Sequence, residues 1–297
     1  MPEVIHLYNR QTQAMETEQV PGGSLLAFFY SRPWGRMAVS RLWSRVLFSR
    51  IYGRLLHCRF SRRQIDGFVR QHGIDMAEVQ VPAGGFQSFN DFFIRRLKPG
   101  ARTIAKHPQA LISPADSRLK VFQLRDETIL NVKGVTLTLD QLLDNGSVPN
   151  RFAGGTCLQY RLAPRDYHRF GYIEDGVQGP VQTIGGRLYS VSPLALRHMP
   201  AIWGQNYRHW CSIQTKSMGP VLQIEVGATM VGSIVQHQPE GGYCTRGGEK
   251  GYFQMGGSTV LTILEPGRVK IDEDILHHSR QDVETLVQYG EKVGEIL

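Results

Sequence analysis

The chain is predicted to be an α+β protein, with a basic helical region over residues 1–80 followed by a mainly antiparallel β core over residues 81–297. Three observations predict it. No acidic residue occurs from Gln19 to Ile65, a stretch rich in arginine and aromatic residues. A Pro/Gly joint, Val81-Pro-Ala-Gly-Gly85, follows that region. From Cys157 onward, short apolar runs are cut by Gly and Pro at close intervals, the mark of short strands and turns.

Composition bounds the rest. The 297 residues have room for one large or two ordinary domains. The content, 41% hydrophobic and 20% charged, is that of a globular protein. The formal net charge of +8 favours anionic partners. The four cysteines form no C-x-x-C pair, so neither a zinc site nor a disulfide framework is expected, no metal is implied, and a reducing compartment is the default. No run approaches the roughly 18 apolar residues of a spanning helix. The N-terminus lacks a signal-peptide pattern. The protein is expected to be non-integral yet able to lie on a membrane.

In chain order, residues 1–23 read as an irregular lead-in ending at Pro21-Gly22-Gly23. A nine-residue pattern then recurs: Ser31-Arg-Pro-Trp-Gly-Arg36, Ser40-Arg-Leu-Trp-Ser-Arg45 and Ser49-Arg-Ile-Tyr-Gly-Arg54, with a weaker echo at Cys58–Arg63. A nine-residue step turns a helix pattern by about 180°, so two shorter helices broken near Ser49 or Gly53 separate an apolar side better than one long helix. Three uses stand open for this stretch: a solvated helix pair packed on the core, attachment to an anionic membrane surface through Trp34, Trp43, Phe48 and Tyr52, or nucleic-acid binding. Ser61–Gln64 reads as a capping box with Gly73 as the helix stop. Residues 86–102 predict a short helix entering the core. Ile112–Ser117 reads as a strand end and turn. Thr138–Gln141 is a second capping box, before a short helix through Leu142 and Leu143 that should end at Asn145-Gly146. The runs Val177–Ile184, Leu188–Val191, Val221–Val226, Met230–Val235 and Val260–Leu264 predict the β region.

The stretch Met255-Gly-Gly-Ser-Thr-Val260 joins two glycines to a Ser-Thr pair between strand-like flanks. It reads either as a bulge or tight turn, or as a nucleophile, Ser258, held beside its own backbone carbonyl at Gly257. A nucleophilic serine needs a base, and the base an orienting group. Asp116, in Ser113-Pro-Ala-Asp116, and His168, in Arg161–Phe170, are candidates. No local spacing rule joins the three.

Several motifs in order supply the link: Phe89-Asn-Asp-Phe-Phe93 with Leu97-Lys-Pro-Gly-Ala-Arg102; Ser113–Asp116; Val132-Lys-Gly134; Leu162-Ala-Pro-Arg-Asp-Tyr-His-Arg169; Tyr189–Pro193; Glu225-Val-Gly-Ala-Thr229 with Val231-Gly-Ser233; Gly257-Ser-Thr259; and Val269–Asp274 with Gly290–Gly294. From Tyr8 to the C-terminus the chain resembles the phosphatidylserine decarboxylase proenzymes. The resemblance implies self-cleavage between Gly257 and Ser258. The hydroxyl attacks the Gly257 carbonyl, elimination frees Gly257 as a carboxyl end, and hydrolysis of the remaining residue leaves a pyruvoyl group at 258 and ammonia. That group acts as the electron sink that no side chain provides. The substrate implied is phosphatidylserine and the products phosphatidylethanolamine and carbon dioxide, with Ser258, His168 and Asp116 as catalytic residues. His168 is expected to be the general acid, its ordinary pKa lying near neutrality. The resemblance also favours the membrane-surface reading of the arginine stretch over a solvated helix pair packed on the core, and implies a peripheral protein on the cytoplasmic side of the cell membrane. It further implies two associated chains after cleavage and allows a homodimer.

One position departs from the family pattern. A second His is expected three residues after His168, as the base paired with Asp116; Gly171 stands there. Three ways round the gap stand open: His168 serves both steps, a distant His such as His237 takes the place of the base, or the chain stays uncleaved; restoring a His at 171 is expected to speed cleavage if the missing base is the bottleneck. Two alternatives follow: a catalytically impaired or inactive membrane-bound homologue, and a pyruvoyl decarboxylase of a free amino acid. Met255-Gly256, where many members have Leu-Gly, keeps the scissile Gly-Ser bond.

Overall fold

The computed structural model describes residues 4–19, 28–29, 31–39, 55–124, 129–132, 135–144, 150–199, 202–228, 233–255 and 258–297. Two of the three arginine nonapeptides, with Trp43, Phe48 and Tyr52, lie outside the described residues, as does Gly257.

Among the described residues, eleven strands form the main sheet: β1 (Val4–Asn9), β2 (Ala14–Gln19), β3 (Ser117–Gln123), β4 (Thr156–Leu162), β5 (Gly176–Gln178), β6 (Gln182–Ile184), β7 (Arg208–Thr215), β8 (Pro220–Gly227), β9 (Gly242–Cys244), β10 (Ser258–Leu264) and β11 (Glu284–Val287). Their spatial order is β9-β5-β7-β8-β10-β4-β3-β11-β1-β2, with β6 paired beside β5 on β7. Every pairing is antiparallel except β1 with β11. The β region therefore forms as its Gly/Pro punctuation predicts. Leu188–Val191 does not join a strand; it leads instead into a helix, Pro193–His198, capped by Ser192.

Residues 4–19, expected to be irregular, are a hairpin at the sheet edge. In Val4–Asn9 alternate side chains are buried, with Ile5, Leu7 and Asn9 facing in, which is the period of a half-buried strand. Among the described residues of the basic stretch and its continuation are two short helices, α1 (Pro33–Ala38) and α2 (Ile65–His72), which do not establish a helical region over residues 1–80. The capping box expected at Ser61 does not form. Ser61 Oγ donates to the Leu56 and Cys58 carbonyls and accepts from the Phe89 N–H, so it ties the 3-10 turn Arg59–Gln64 to the start of the helix Phe89–Phe93. Gly73 ends α2 at φ 59°, as expected. α3 (Phe89–Phe93) enters the core with Phe89, Phe92 and Phe93 buried. The box at Thr138 is complete and starts α4 (Leu139–Leu143), which Asp144 ends in the left-handed region.

The sheet carries a core on each face. Leu261 and Ile263 of β10 join Leu222, Ile224 and Val226 under a layer containing Leu142 and Trp203. Val260 and Leu264 face the other way, against Tyr160, Phe170 and Phe253. There a small sheet of Arg169–Gly171, Glu249–Phe253 and Ile234–Gln236 covers the main one. A second small sheet joins Ala110–Ile112, Lys292–Ile296 and Val269–Ile271, beside α5 (Glu273–Arg280). All seven residues of β10 are buried, and each fully buried aliphatic residue contributes about 1.5–3 kcal/mol. No helix among the described residues is long and apolar enough to cross a membrane.

Candidate active site

Ser258 is the first residue of β10, opposite Gly227 on β8 and Leu162 on β4. Its side chain shares a face with Val260 and is fully buried. The turn after β4 places His168 over this face. Ser258 Oγ lies 3.4 Å from His168 Nδ1. The other ring nitrogen, Nε2, is 3.1 Å from the Ala163 carbonyl. A carbonyl only accepts, so Nε2 carries the ring proton and Nδ1 presents its lone pair; the serine hydroxyl donates to it. The contact is at the long end of hydrogen-bonding distance, as is common before a reacting centre tightens.

His168 is completely buried, and its ring stacks on Phe93 with centroids 3.9 Å apart. Burial, and secondarily the nearby Arg95 charge, lower its pKa to about 3. The resting imidazole is therefore neutral near pH 7. This changes the ground on which a general-acid role was expected: His168 does not hold a spare proton near neutrality, and must first receive one before returning it.

Asp116 sits at the entry to β3 and is nearly buried. Arg102 Nε bonds both its oxygens at 2.9 and 3.0 Å, Arg102 Nη2 adds a bond of 2.7 Å, and the Tyr289 N–H donates to Oδ1 at 2.8 Å. The carboxylates of Asp116 and Glu78 hold the Arg102 guanidinium above its ordinary pKa despite burial. None of these bonds reaches His168. Ser258 stands opposite Leu162, and Arg118 opposite Arg161. Asp116 is thus about two strand spacings, roughly 10 Å, from Ser258.

Gly171 lies beside the Asp116 loop, its N–H donating to the Pro114 carbonyl at 2.9 Å. A Cβ there would fall 1.9 Å from Tyr289 Oη and 2.6 Å from the Gly248 carbonyl. The space a side chain at 171 would need is already filled, so the expected gain from restoring a His does not follow.

Several contributors escape a reading of the sequence. Asn90 Oδ1 accepts from the Met255 N–H at 3.2 Å and so anchors the chain at Met255. The Ala163 carbonyl fixes the His168 tautomer. Arg95 Nη2 donates to the Arg165 and Asp166 carbonyls at 2.9 and 3.1 Å, bracing the His168 turn, while its Nε and Nη1 have no hydrogen-bond partner among the described residues. Asn90, Phe93 and Arg95 fall in or just after the Phe89–Phe93 motif, which signalled importance without showing what it touches. A polar hollow of about 190 Å³, lined by Arg95, Arg102, Asp116, Arg165, Tyr167 and Val287 among others, adjoins the turn. Among the described residues no group of His, Cys, Asp and Glu is arranged to hold a metal ion.

A buried polar network lies on the same face of the sheet. Glu225 stands opposite Val260, and Lys250 Nζ donates to Glu225 Oε1 and Gln236 Oε1, each at 2.8 Å. Burial opposes the Lys250 charge, but Glu225 overrides it and raises the pKa.

Comparison with known proteins gives a consistent result. The family model for phosphatidylserine decarboxylase matches residues 89–295. A phosphatidylserine decarboxylase proenzyme from Ruminiclostridium cellulolyticum is 40% identical over 295 residues, 99% of this chain and 98% of that protein. Proteins of the same name from Clostridium novyi and Desulfitobacterium hafniense are 38% and 39% identical, over 99% and 98% of this chain and 100% and 98% of their own lengths.

Proposed function

The chain belongs to the phosphatidylserine decarboxylase family, and on that footing we propose that it cleaves itself between Gly257 and Ser258 and converts phosphatidylserine to phosphatidylethanolamine and carbon dioxide. The observation that carries this reading is the buried contact between the Ser258 hydroxyl and the acceptor nitrogen of a neutral His168.

In self-cleavage, Nδ1 takes the hydroxyl proton as Oγ bonds to the Gly257 carbonyl carbon. The Gly257–Ser258 C–N bond breaks, and the proton passes to the departing Ser258 nitrogen. The imidazole, neutral again, takes the Ser258 α-proton as the Cβ–O bond breaks and Gly257 leaves as a carboxylate, and water then converts the dehydroalanine left at 258 to a pyruvoyl group and ammonia. The imidazole does not need a carboxylate to fix its tautomer, because the Ala163 carbonyl does so. The stacked Phe93 ring and complete burial exclude water from the pair, which favours acyl transfer over early hydrolysis.

The site fits a pyruvoyl group at 258: the residue to be converted is buried, sits at the start of a strand held on both sides, and has a proton-transfer group against its side chain. When formed, that group supplies an electrophilic carbonyl that stores the electron pair left by decarboxylation. His168 is positioned to hold and return a proton at Nδ1. Arg95, whose Nε and Nη1 have no hydrogen-bond partner among the described residues, and Arg165 line the adjoining hollow and suit the phosphodiester of the substrate. Asp116 serves in support, through Arg102 and Tyr289.

The short piece, residues 258–297, supplies β10 and β11. β10 pairs with β8 and β4, and β11 with β3 and β1, so cleavage leaves two chains held in one sheet. Within residues 1–80, membrane association falls to the basic stretch beyond the β1–β2 hairpin. There Trp34 and Phe28 are exposed and Arg32 lies 4.2 Å over the Phe28 ring. This fits a peripheral protein on the cytoplasmic face of the cell membrane. Intact mass of the purified protein tests the proposal: a fragment beginning at 258 and blocked to N-terminal sequencing is expected, and a stable full-length chain would overturn it.

A further inference from the structure

Tyr289 lies far from Ser258 in sequence but on the same short piece of chain, and it brackets the segment that carries His168. Its ring packs edge-on against Tyr167, with centroids 6.3 Å apart, next to His168. Its hydroxyl reaches the other end of the segment, filling the volume a side chain at 171 would take, and donates to the Gly247 carbonyl at 3.2 Å. Its backbone N–H holds Asp116, and the next residue, Gly290, donates to the Ser113 carbonyl at 2.8 Å. The Gly171 N–H is fixed on Pro114 of that same loop. Burial pushes the Tyr289 phenol up in pKa, so it stays a donor at all working pH values.

We propose that Gly171 and Tyr289 are a size-complementary pair, and that Tyr289 is a positioning residue that sets His168 against Ser258 by clamping residues 167–171 to the Asp116 loop. The absence of a side chain at 171 is what admits the phenol. Asp116 accordingly belongs to the clamp, its oxygens taken by Arg102 and the Tyr289 N–H. The piece that carries the scissile serine thus also carries the residue that places its base. This rests on the reading of Ser258 and His168 as the cleavage pair.

The test follows self-cleavage of refolded precursor, as appearance of the two chains over time, at a temperature where circular dichroism shows each variant folded. Tyr289→Leu is expected to slow cleavage at least about tenfold by misplacing the imidazole, whereas Tyr289→Phe, which keeps the ring, stays within about threefold of the unaltered rate. Gly171→Ala is expected to slow cleavage about tenfold beside Tyr289 and by a smaller factor in the Tyr289→Leu background, where the Gly248 carbonyl alone still crowds the added methyl, because neighbours that share one space are not additive. Cleavage of Gly171→Ala at the unaltered rate, or full multiplication of the two effects, overturns the pairing. Equal slowing by Phe and Leu at 289 overturns the positioning role. Ser258→Ala and His168→Gln are run alongside. If either cleaves normally, the serine–imidazole reading fails and takes the pair with it; if both are blocked while 171 and 289 act independently, only the pairing fails.

Discussion

Ser258 Oγ and His168 Nδ1 lie 3.4 Å apart although ninety residues separate them in the chain. The contact joins the first residue of a central strand to a turn braced by Phe93, Arg95 and the Ala163 carbonyl. Its chemistry depends on neutrality at Nδ1, and the predictions below test that dependence and the structure that enforces it.

Ser258→Ala removes the attacking oxygen while leaving β10 and its packing in place. The expected outcome is a folded chain that stays intact on a denaturing gel, with no fragment beginning at 258.

His168→Gln is expected to slow cleavage by about 10²–10⁴, the span of general base catalysis by a placed side chain. The pH profile carries a separate signature. Because the folded His168 pKa lies at about 3, cleavage should be level through neutrality and fall only as pH approaches 3, where Nδ1 becomes protonated. A midpoint near 6.5 would contradict burial as the controlling factor.

The same group sets a pH dependence of stability. Its folded pKa lies below the unfolded value near 6.5, so the unfolded chain binds the proton first. Stability from this group is complete above about pH 6.5 and falls by ~1.4 kcal/mol per pH unit between about 6.5 and 3. Urea unfolding of Ser258→Ala precursor at stepped pH should show this loss, and His168→Gln should reduce it.

Asp116→Asn leaves Arg102 with Glu78 as its one carboxylate partner and weakens its charged hydrogen bonds. The expected cost is about 1.5–3 kcal/mol, that of hydrogen bonds to a charged group, read by denaturant unfolding. At a temperature where the variant is folded, cleavage should slow far less than in His168→Gln.

Lys250→Met removes the cation from a pair with both side chains fully buried and leaves Glu225 uncompensated. A loss of about 3–5 kcal/mol is expected. Replacing Glu225 by Gln as well should recover part of it, because the bare charge is then gone.

Binding to anionic lipid vesicles should depend on residues 24–63. Pelleting of the deleted protein as efficiently as the full chain would remove that stretch from membrane attachment.

Much was determined by the sequence alone. The Gly/Pro-cut apolar runs identified the β region, Thr138–Gln141 its capped helix, and the ordered motifs the family. These are local signals, set by backbone preference and spacing. The hairpin at residues 4–19 was missed because its burial depends on a partner, β11, that lies near the other end of the chain. Ser61 was misread because its hydroxyl bonds to Leu56, Cys58 and Phe89 instead of capping its own helix. Only the tertiary structure decided which base meets Ser258, since that depends on a turn folding over a strand. It likewise decided that burial holds His168 neutral, that Asp116 is spent on Arg102 and Tyr289, and that Gly171 is not a vacant place. The volume beside Gly171 is occupied by a phenol from 118 residues onward in the chain, and no pattern within a segment records what another segment brings to it.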